Sequence, residues 1–242
     1  MLTTIQLEDL ARTARVAAET AGRYIAAEFE HVHSSMRKSA GKSLASQVVT
    51  EVDQESQRLI LGSLAHSIKT YDLGLLTEEM KDDGSRFEKD YFWCIDPLDG
   101  TLPFTEQQPG FAVSVTLIDQ QGQPLIGVVV DPFDEEIYQV TRGKGFTIND
   151  LSLTFQSKIE GRLVCHFDRS FEDSDSYEVT IKSLENIASK LGCTGLDIRT
   201  GPGAVMNALD LLDVEIGCYI KLPKAEQGGG CIWDFAATSL IY

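Results

Sequence analysis

The sequence predicts a mixed fold in which an α+β half is followed by an α/β half. Three observations carry this expectation. A single helical pattern fills residues 7–29. Residues 91–148 hold short apolar runs joined by tight turns, the pattern of an antiparallel meander. Residues 162–242 alternate strand-like and helix-like segments. The soft boundary near residue 150 divides the chain into expected halves 1–150 and 151–242.

With 242 residues the chain suffices for one large domain or two intimately packed halves. Its formal charge of −16 argues against a nucleic-acid polymer or an anionic membrane as the main partner. A phosphorylated substrate would need metal ions or a local basic patch to approach such a chain. Cys94, Cys165, Cys193, Cys218 and Cys231 form no C-x-x-C pair and have apolar neighbours. They are expected to be reduced and mostly buried, in a cytoplasmic protein. The four histidines lack H-E-x-x-H spacing, so zinc is not expected. Residues 2–27 carry charges throughout and read as neither signal peptide nor membrane span.

The elements follow in order. Leu7, Leu10, Ala14, Ala17, Ala18, Ala21, Ile25 and Phe29 recur at helical spacing between charged residues, so an amphipathic helix is expected. His31 to Ser46, with Lys38, Gly41 and Lys42, reads as a polar loop or hairpin, and Lys42 as either a phosphate contact or a solvated lysine. A short apolar run ending at Thr50 precedes a second helix. Thr50 and Asp53 fit a capping box at its start, with Asp53 in the first turn. Asp72 to Thr77 reads as a strand ending in Glu78 and Glu79, of which only one can face a site if the strand geometry continues. Lys81 to Asp90 is a charged surface loop.

Trp93-Cys94-Ile95-Asp96-Pro97-Leu98-Asp99-Gly100-Thr101 is the stretch around which the chain is organised. It reads as a buried strand running into a turn. Pro97 stiffens the segment bearing Asp96 and Asp99, and Gly100 lets backbone approach a ligand closely. Asp-Pro and Asp-Gly are also ordinary turn formers, so a structural turn stands beside the chemical reading. In the chemical reading, two acids beside N–H groups aimed at an anion require a cation between them, which suggests a carboxylate–Mg²⁺–phosphate site.

Phe111–Asp119, Gly127–Val130, Ile137–Val140 and Phe146–Ile148 are the meander strands. The Gly143-Lys144-Gly145 turn lacks P-loop spacing. In the second half, 162–167, 196–200 and 214–222 read as strands, and 176–191 and 204–212 as helices. A last helix opens at Trp233-Asp234-Phe235-Ala236-Ala237. Asp234 in its first turn suits the helix dipole as well as a ligand role. Glu78, Asp96 with Asp99, Asp234 and Asp53 thus all stand at element junctions. Such a set matches what clustered Mg²⁺ ions need for phosphate-ester hydrolysis.

The blocks Val49-Thr50-Glu51-Val52-Asp53, Glu78-Glu79, Ile95-Asp96-Pro97-Leu98-Asp99-Gly100-Thr101 with Phe104, Gly143/Gly145/Asn149 and Trp233-Asp234-Phe235-Ala236-Ala237 occur in an order that resembles the inositol monophosphatase superfamily. These are Mg²⁺-dependent, lithium-sensitive phosphomonoesterases that include 3′(2′),5′-bisphosphate nucleotidases. The resemblance covers about residue 42 to the C-terminus. It implies a layered αβαβα sandwich, two or three Mg²⁺ ions and, as members often are, a homodimer. It implies that Glu78, Asp96 and the Leu98 carbonyl hold one metal, and that Asp96, Asp99 and Asp234 hold a second. Glu78 would help position a third ion. Thr101 with Asp53 would orient and deprotonate water, and the N–H groups of Gly100 and Thr101 would hold phosphate.

This chain departs from the family pattern at Thr77, where Gly, Ser or Ala is usual, and at Thr238, where Gly is usual. Members usually continue past the position of Tyr242, so the C-terminal part is expected to be incomplete. Lys221 and Lys224 look like the bisphosphate nucleotidases, whose second phosphate needs a basic partner, and are also readable as solvated lysines. Glu215 or Glu226 would instead serve a polyol. The expected activity is hydrolysis of a small phosphate monoester, inositol-monophosphatase-like. The alternatives are hydrolysis of 3′-phosphoadenosine 5′-phosphate and, from another class, a catalytically silent regulator that binds a phosphorylated ligand.

Overall fold

The structure, a computed structural model, describes residues 2–36, 42–152, 161–222 and 230–242, with side chains 32–49 outside the description. Helices α1 (Thr4–Met36) and α2 (Lys42–Tyr71) pack against each other and against one face of a seven-stranded sheet. Leu10, Ala14, Ala17, Ala18, Ala21 and Ile25 line the buried side of α1, as their spacing predicts. The small side chains allow close approach to the sheet. A Cβ on Gly22 would meet Val130 Cγ1 at 2.6 Å. Each fully buried Leu or Ile here contributes about 1.5–3 kcal/mol of apolar burial.

The sheet runs in sequence order: β1 (Gly74–Thr77), β2 (Tyr91–Asp99), β3 (Ala112–Asp119), β4 (Pro124–Asp131), β5 (Glu136–Thr141), β6 (Gly145–Ile148) and β7 (Leu151–Ser152). Every pairing from β2 to β7 is antiparallel, as short links require, and β1 lies parallel to β2. A short helix, α3 (Ser85–Glu88), interrupts the expected charged loop, and α4 (Thr101–Thr105) follows β2.

The second sheet is wholly parallel, in the order β10 (Gly217–Ile220), β8 (Leu163–Phe167), β9 (Leu196–Thr200). Helix α5 (Tyr177–Lys190) covers its outer face through Leu184 and Ala188, which pack with Cys165 and Phe167. Between the sheets lie α6 (Ala204–Leu209), α7 (Ile232–Phe235) and α8 (Thr238–Ile241). Val205, Met206, Leu209 and Ala237 meet Ala112, Val129 and Tyr138 of the first sheet. The layers are therefore α1/α2, sheet, α6–α8, sheet, α5, which is the αβαβα sandwich.

Three expectations are corrected. The segment from His31 to Ser46 is not a loop or hairpin in its described parts, because α1 continues to Met36 and α2 starts at Lys42. Thr50 and Asp53 consequently lie inside α2, and Asp53 is not in a first turn. The S/T-x-x-D pattern fits a helix interior as well as a start, because its i,i+3 spacing is helical throughout. The proposed phosphate contact of Lys42, and Lys38 beside it, lie outside the described side chains. The cysteines are free, but only Cys94 and Cys165 are buried; Cys231 is exposed. Lys144 stands in the turn that lacks P-loop spacing. It donates to Glu8 on α1 at 2.6 Å.

Candidate active site

The site is built at the C-terminal end of β2. Asp96 pairs with Ser114 of β3 and Asp99 with Ala112, so Pro97 and Leu98 stand opposite the single residue Val113. This is a β-bulge. Residues three apart on a regular strand point to opposite faces; the extra residue brings Asp96 and Asp99 to the same side. Pro97 suits the bulge because it has no N–H to give the ladder. Ser56 Oγ on α2 donates to the Pro97 carbonyl at 2.8 Å, and Leu98 N–H donates to Asp96 Oδ1 at 3.1 Å, which fix the kink.

Asp234 comes from the other half of the chain. In the first turn of α7 it accepts the Cys231 N–H at 2.8 Å. Trp233 beside it packs with Leu76, Phe92, Cys94 and Ile118, and Ser114 Oγ donates to its carbonyl at 3.4 Å. That packing carries Asp234 over β2. One carboxylate oxygen from each of Asp96, Asp99 and Asp234 falls within 4.8 Å of the other two.

Glu78 follows β1 in a turn, so the strand argument for Glu78 and Glu79 no longer applies. Its N–H donates to the Ile95 carbonyl at 3.2 Å, and burial, with the Asp234 and Glu79 carboxylates adding and Asp96 opposing, raises its carboxyl above the ordinary range. Asp99 receives the N–H groups of Ala204 and Val205 at 3.1 and 2.8 Å. Sequence reasoning missed these donors, although the Gly201-Pro202-Gly203 turn ahead of a helix was visible. Close backbone contact makes them possible. A Cβ at Gly203 would lie 2.3 Å from Asp99 Oδ2. Gly100 has φ +82, and a Cβ there would lie 2.5 Å from the Gly110 carbonyl.

The electrostatics are those of crowded, buried acids. Asp96 is 1% exposed and Asp99 8%. Burial first, then Asp99, Glu78 and Asp234, hold the Asp96 carboxyl well above its ordinary range. Burial lifts Asp99 to about 7, with the Val205 N–H opposing and Asp234 adding to the rise. Burial, then Glu79 and Glu78, lifts Asp53 to about 8. Hard, converging oxygen donors that repel one another suit a divalent cation such as Mg²⁺.

The structure does not join all the expected residues. Asp53 is buried near Glu78 and Glu79, and Thr101 is exposed at the start of α4; no hydrogen bond links the two. Lys221 reaches the site, with Nζ 3.7 Å from Asp234 Oδ2 and 3.7 Å from Asp168 Oδ2. Asp168 was not singled out by the sequence. Glu215 sits beside Gly161 at the opposite end of the second sheet, so it does not share a pocket with Lys221. Lys224 and Glu226 lie outside the described residues.

Residues 6–242 match the Inositol monophosphatase family, and the chain belongs to it. It is 31% identical over 232 residues to Nus factor SuhB of Pseudomonas aeruginosa, covering 93% of this chain and 79% of that protein. It is 29% identical over 201 residues to the inositol-1-monophosphatase of a Synechocystis strain, covering 83% of this chain and 65% of the relative. The solved structure of CysQ from Bacteroides thetaiotaomicron, itself a bacterial family member, aligns with a TM-score of 0.72. That alignment has 22% identity and covers 98% of this chain and 87% of the other. The fold match supports the sandwich architecture, and the family is one of metal-dependent phosphomonoesterases. No helix among the described residues is long and apolar enough to cross a membrane.

Proposed function

We propose that this protein is a Mg²⁺-dependent phosphomonoesterase of inositol-monophosphatase type, acting on a small soluble phosphate ester. The observation that carries the reading is the convergence of Asp96, Asp99 and Asp234 from two distant segments onto one point. Glu78, Asp96 and the Leu98 carbonyl are assigned to one ion. Asp96, Asp99 and Asp234 are assigned to a second, and Glu78 also to a looser third. Bound Mg²⁺ supplies charge neutralisation of the phosphate and activation of water at neutral pH.

The chain's own residues do the remaining work. The N–H groups of Gly100 and Thr101 donate to phosphate oxygens at the turn where Gly100 is left-handed. Asp53, with the Thr101 hydroxyl as intermediary, takes the proton from the attacking water. Catalytic hydrogen bonds commonly tighten only with substrate present, so their separation here is compatible with that role. The Val205 and Ala204 N–H groups fix the Asp99 carboxylate. The segments 1–150 and 151–242 serve as two proposed units, the first holding most ligands and the second supplying Asp234 and the pocket wall. A cytoplasmic homodimer is the proposed state.

A second substrate reading is favoured by Lys221. A base 3.7 Å from Asp234 suits a second phosphate, as in 3′-phosphoadenosine 5′-phosphate. The likeness to proteins named Nus factor SuhB favours a different class, a catalytically silent regulator that binds a phosphorylated ligand. Phosphate release from inositol 1-phosphate and from 3′-phosphoadenosine 5′-phosphate, with Mg²⁺, with Mg²⁺ plus Li⁺ and with chelator, separates the three. Mg²⁺-dependent, Li⁺-suppressed release supports the enzyme, and the faster ester identifies the substrate class. No release from folded protein supports the regulator.

A further inference from the structure

Lys221 carries a cation into the acidic site, and its ammonium is seated rather than solvated. Lys221 is 19% exposed and Asp234 13%. Besides the two carboxylates at 3.7 Å, Nζ lies 5.4 Å from the centroid of the Phe235 ring. Asp168 is itself braced, since the Tyr219 hydroxyl donates to its Oδ1 at 3.0 Å. Space for the ammonium depends on Gly230. A Cβ there would lie 2.9 Å from Lys221 Cε and Nζ and 3.0 Å from Asp234 Oδ2. Gly230 also has φ +91, which other residues rarely adopt. Two carboxylates, a ring face and a glycine gap together make a fitted seat for one positive charge.

We propose that Lys221 is the resident cation of the Asp99–Asp234 side of the site, so that a divalent ion binds there only in competition with its ammonium. The inference rests on the metal-site reading above. It makes the two sides of the centre unequal: the side built by Glu78, Asp96 and Leu98 fills first. The Asp234 side fills when the lysine gives way. Arginine at position 221 keeps the positive charge that opposes the second ion, although its planar guanidinium is larger than the ammonium that the gap at Gly230 admits.

The test is Mn²⁺ uptake, read from the electron paramagnetic resonance signal of free ion, for the wild type and for Lys221→Met, Lys221→Arg and Lys221→Met/Asp234→Asn. Circular dichroism establishes that each is folded. Lys221→Met is expected to bind one further Mn²⁺ per chain, or to bind its weaker ion at least about tenfold more tightly. Lys221→Arg, which keeps the charge, should show no such gain, and adding Asp234→Asn to Lys221→Met should remove it. Equal stoichiometry and affinity in wild type and Lys221→Met would overturn the inference while leaving the metal centre standing. No Mn²⁺ uptake by any variant at millimolar ion would overturn the centre and the inference together.

Discussion

Asp99 and Val205, distant in sequence, are joined by a hydrogen bond of 2.8 Å from the Val205 N–H to Asp99 Oδ2. With the Ala204 N–H at 3.1 Å on Oδ1, it binds the end of β2 to the start of α6. The acid assigned to the metal is thereby oriented by the other sheet's helix layer. Charge-assisted bonds of this kind are about twice as strong as neutral ones.

Gly203→Ala tests that junction sterically. Gly203 has φ −61, which alanine tolerates, so what is added is the collision of a Cβ with the Asp99 carboxylate, Oδ2 at 2.3 Å, and with the Gly100 backbone at 2.8 Å. Overpacking of this kind costs about 1–3 kcal/mol. Thermal unfolding should show a loss of several degrees, with weaker Mg²⁺ stabilisation than in the wild type.

Asp99→Asn should cut Mg²⁺-dependent turnover at least about a hundredfold, on the scale of losing one electrostatic group in an active site. The structure adds a second consequence. The amide NH₂ would face one of the two backbone donors, at a cost of about 1–3 kcal/mol for a donor left without an acceptor. Phosphate-release assays together with denaturant melts check both; retained turnover would remove Asp99 from the metal assignment.

The buried acids make metal-free stability depend on pH. Asp53 is raised from 3.8 to about 8 and Asp99 from 3.8 to about 7. The folded state then holds protons that the unfolded state has released, so stability falls as pH rises through that interval. Chelated protein should melt at progressively lower temperature from about pH 5 to about pH 8. Mg²⁺ should flatten the decline, and Asp53→Asn should remove part of it. A rising or flat profile in chelator would contradict the buried acidic cluster.

Lys221→Ala should raise KM for 3′-phosphoadenosine 5′-phosphate more than for inositol 1-phosphate, because only the bisphosphate has a second anionic group to lose. Steady-state kinetics on both esters decide this. Equal changes in KM would remove the argument for a second phosphate at this position.

Much of the arrangement was legible in the chain. The α1 face, the meander, the alternation of strand and helix in the second half and the acids at Glu78, Asp96 with Asp99, and Asp234 follow from periodicity, turn residues and spacing. The helix boundary near Lys42 was not, because the Thr50–Asp53 pattern has helical spacing wherever it occurs in a helix. The bulge at Pro97–Leu98 was not either, since spacing alone places Asp96 and Asp99 on opposite faces of a strand.

The sequence alone determined which acids stand at the ends of strands and the start of the last helix and, through the order of its motif blocks, the family. Which of them meet was decided by tertiary structure. The bulge turns Asp96 and Asp99 to one side, Trp233 packing delivers Asp234 to them, and the glycines at 100, 110 and 203 let the halves close. The pairing of Lys221 with Asp168 and Asp234 belongs to the same class. Contacts across such sequence distances depend on layers stacking at a fixed separation, and local periodicity contains no record of that distance.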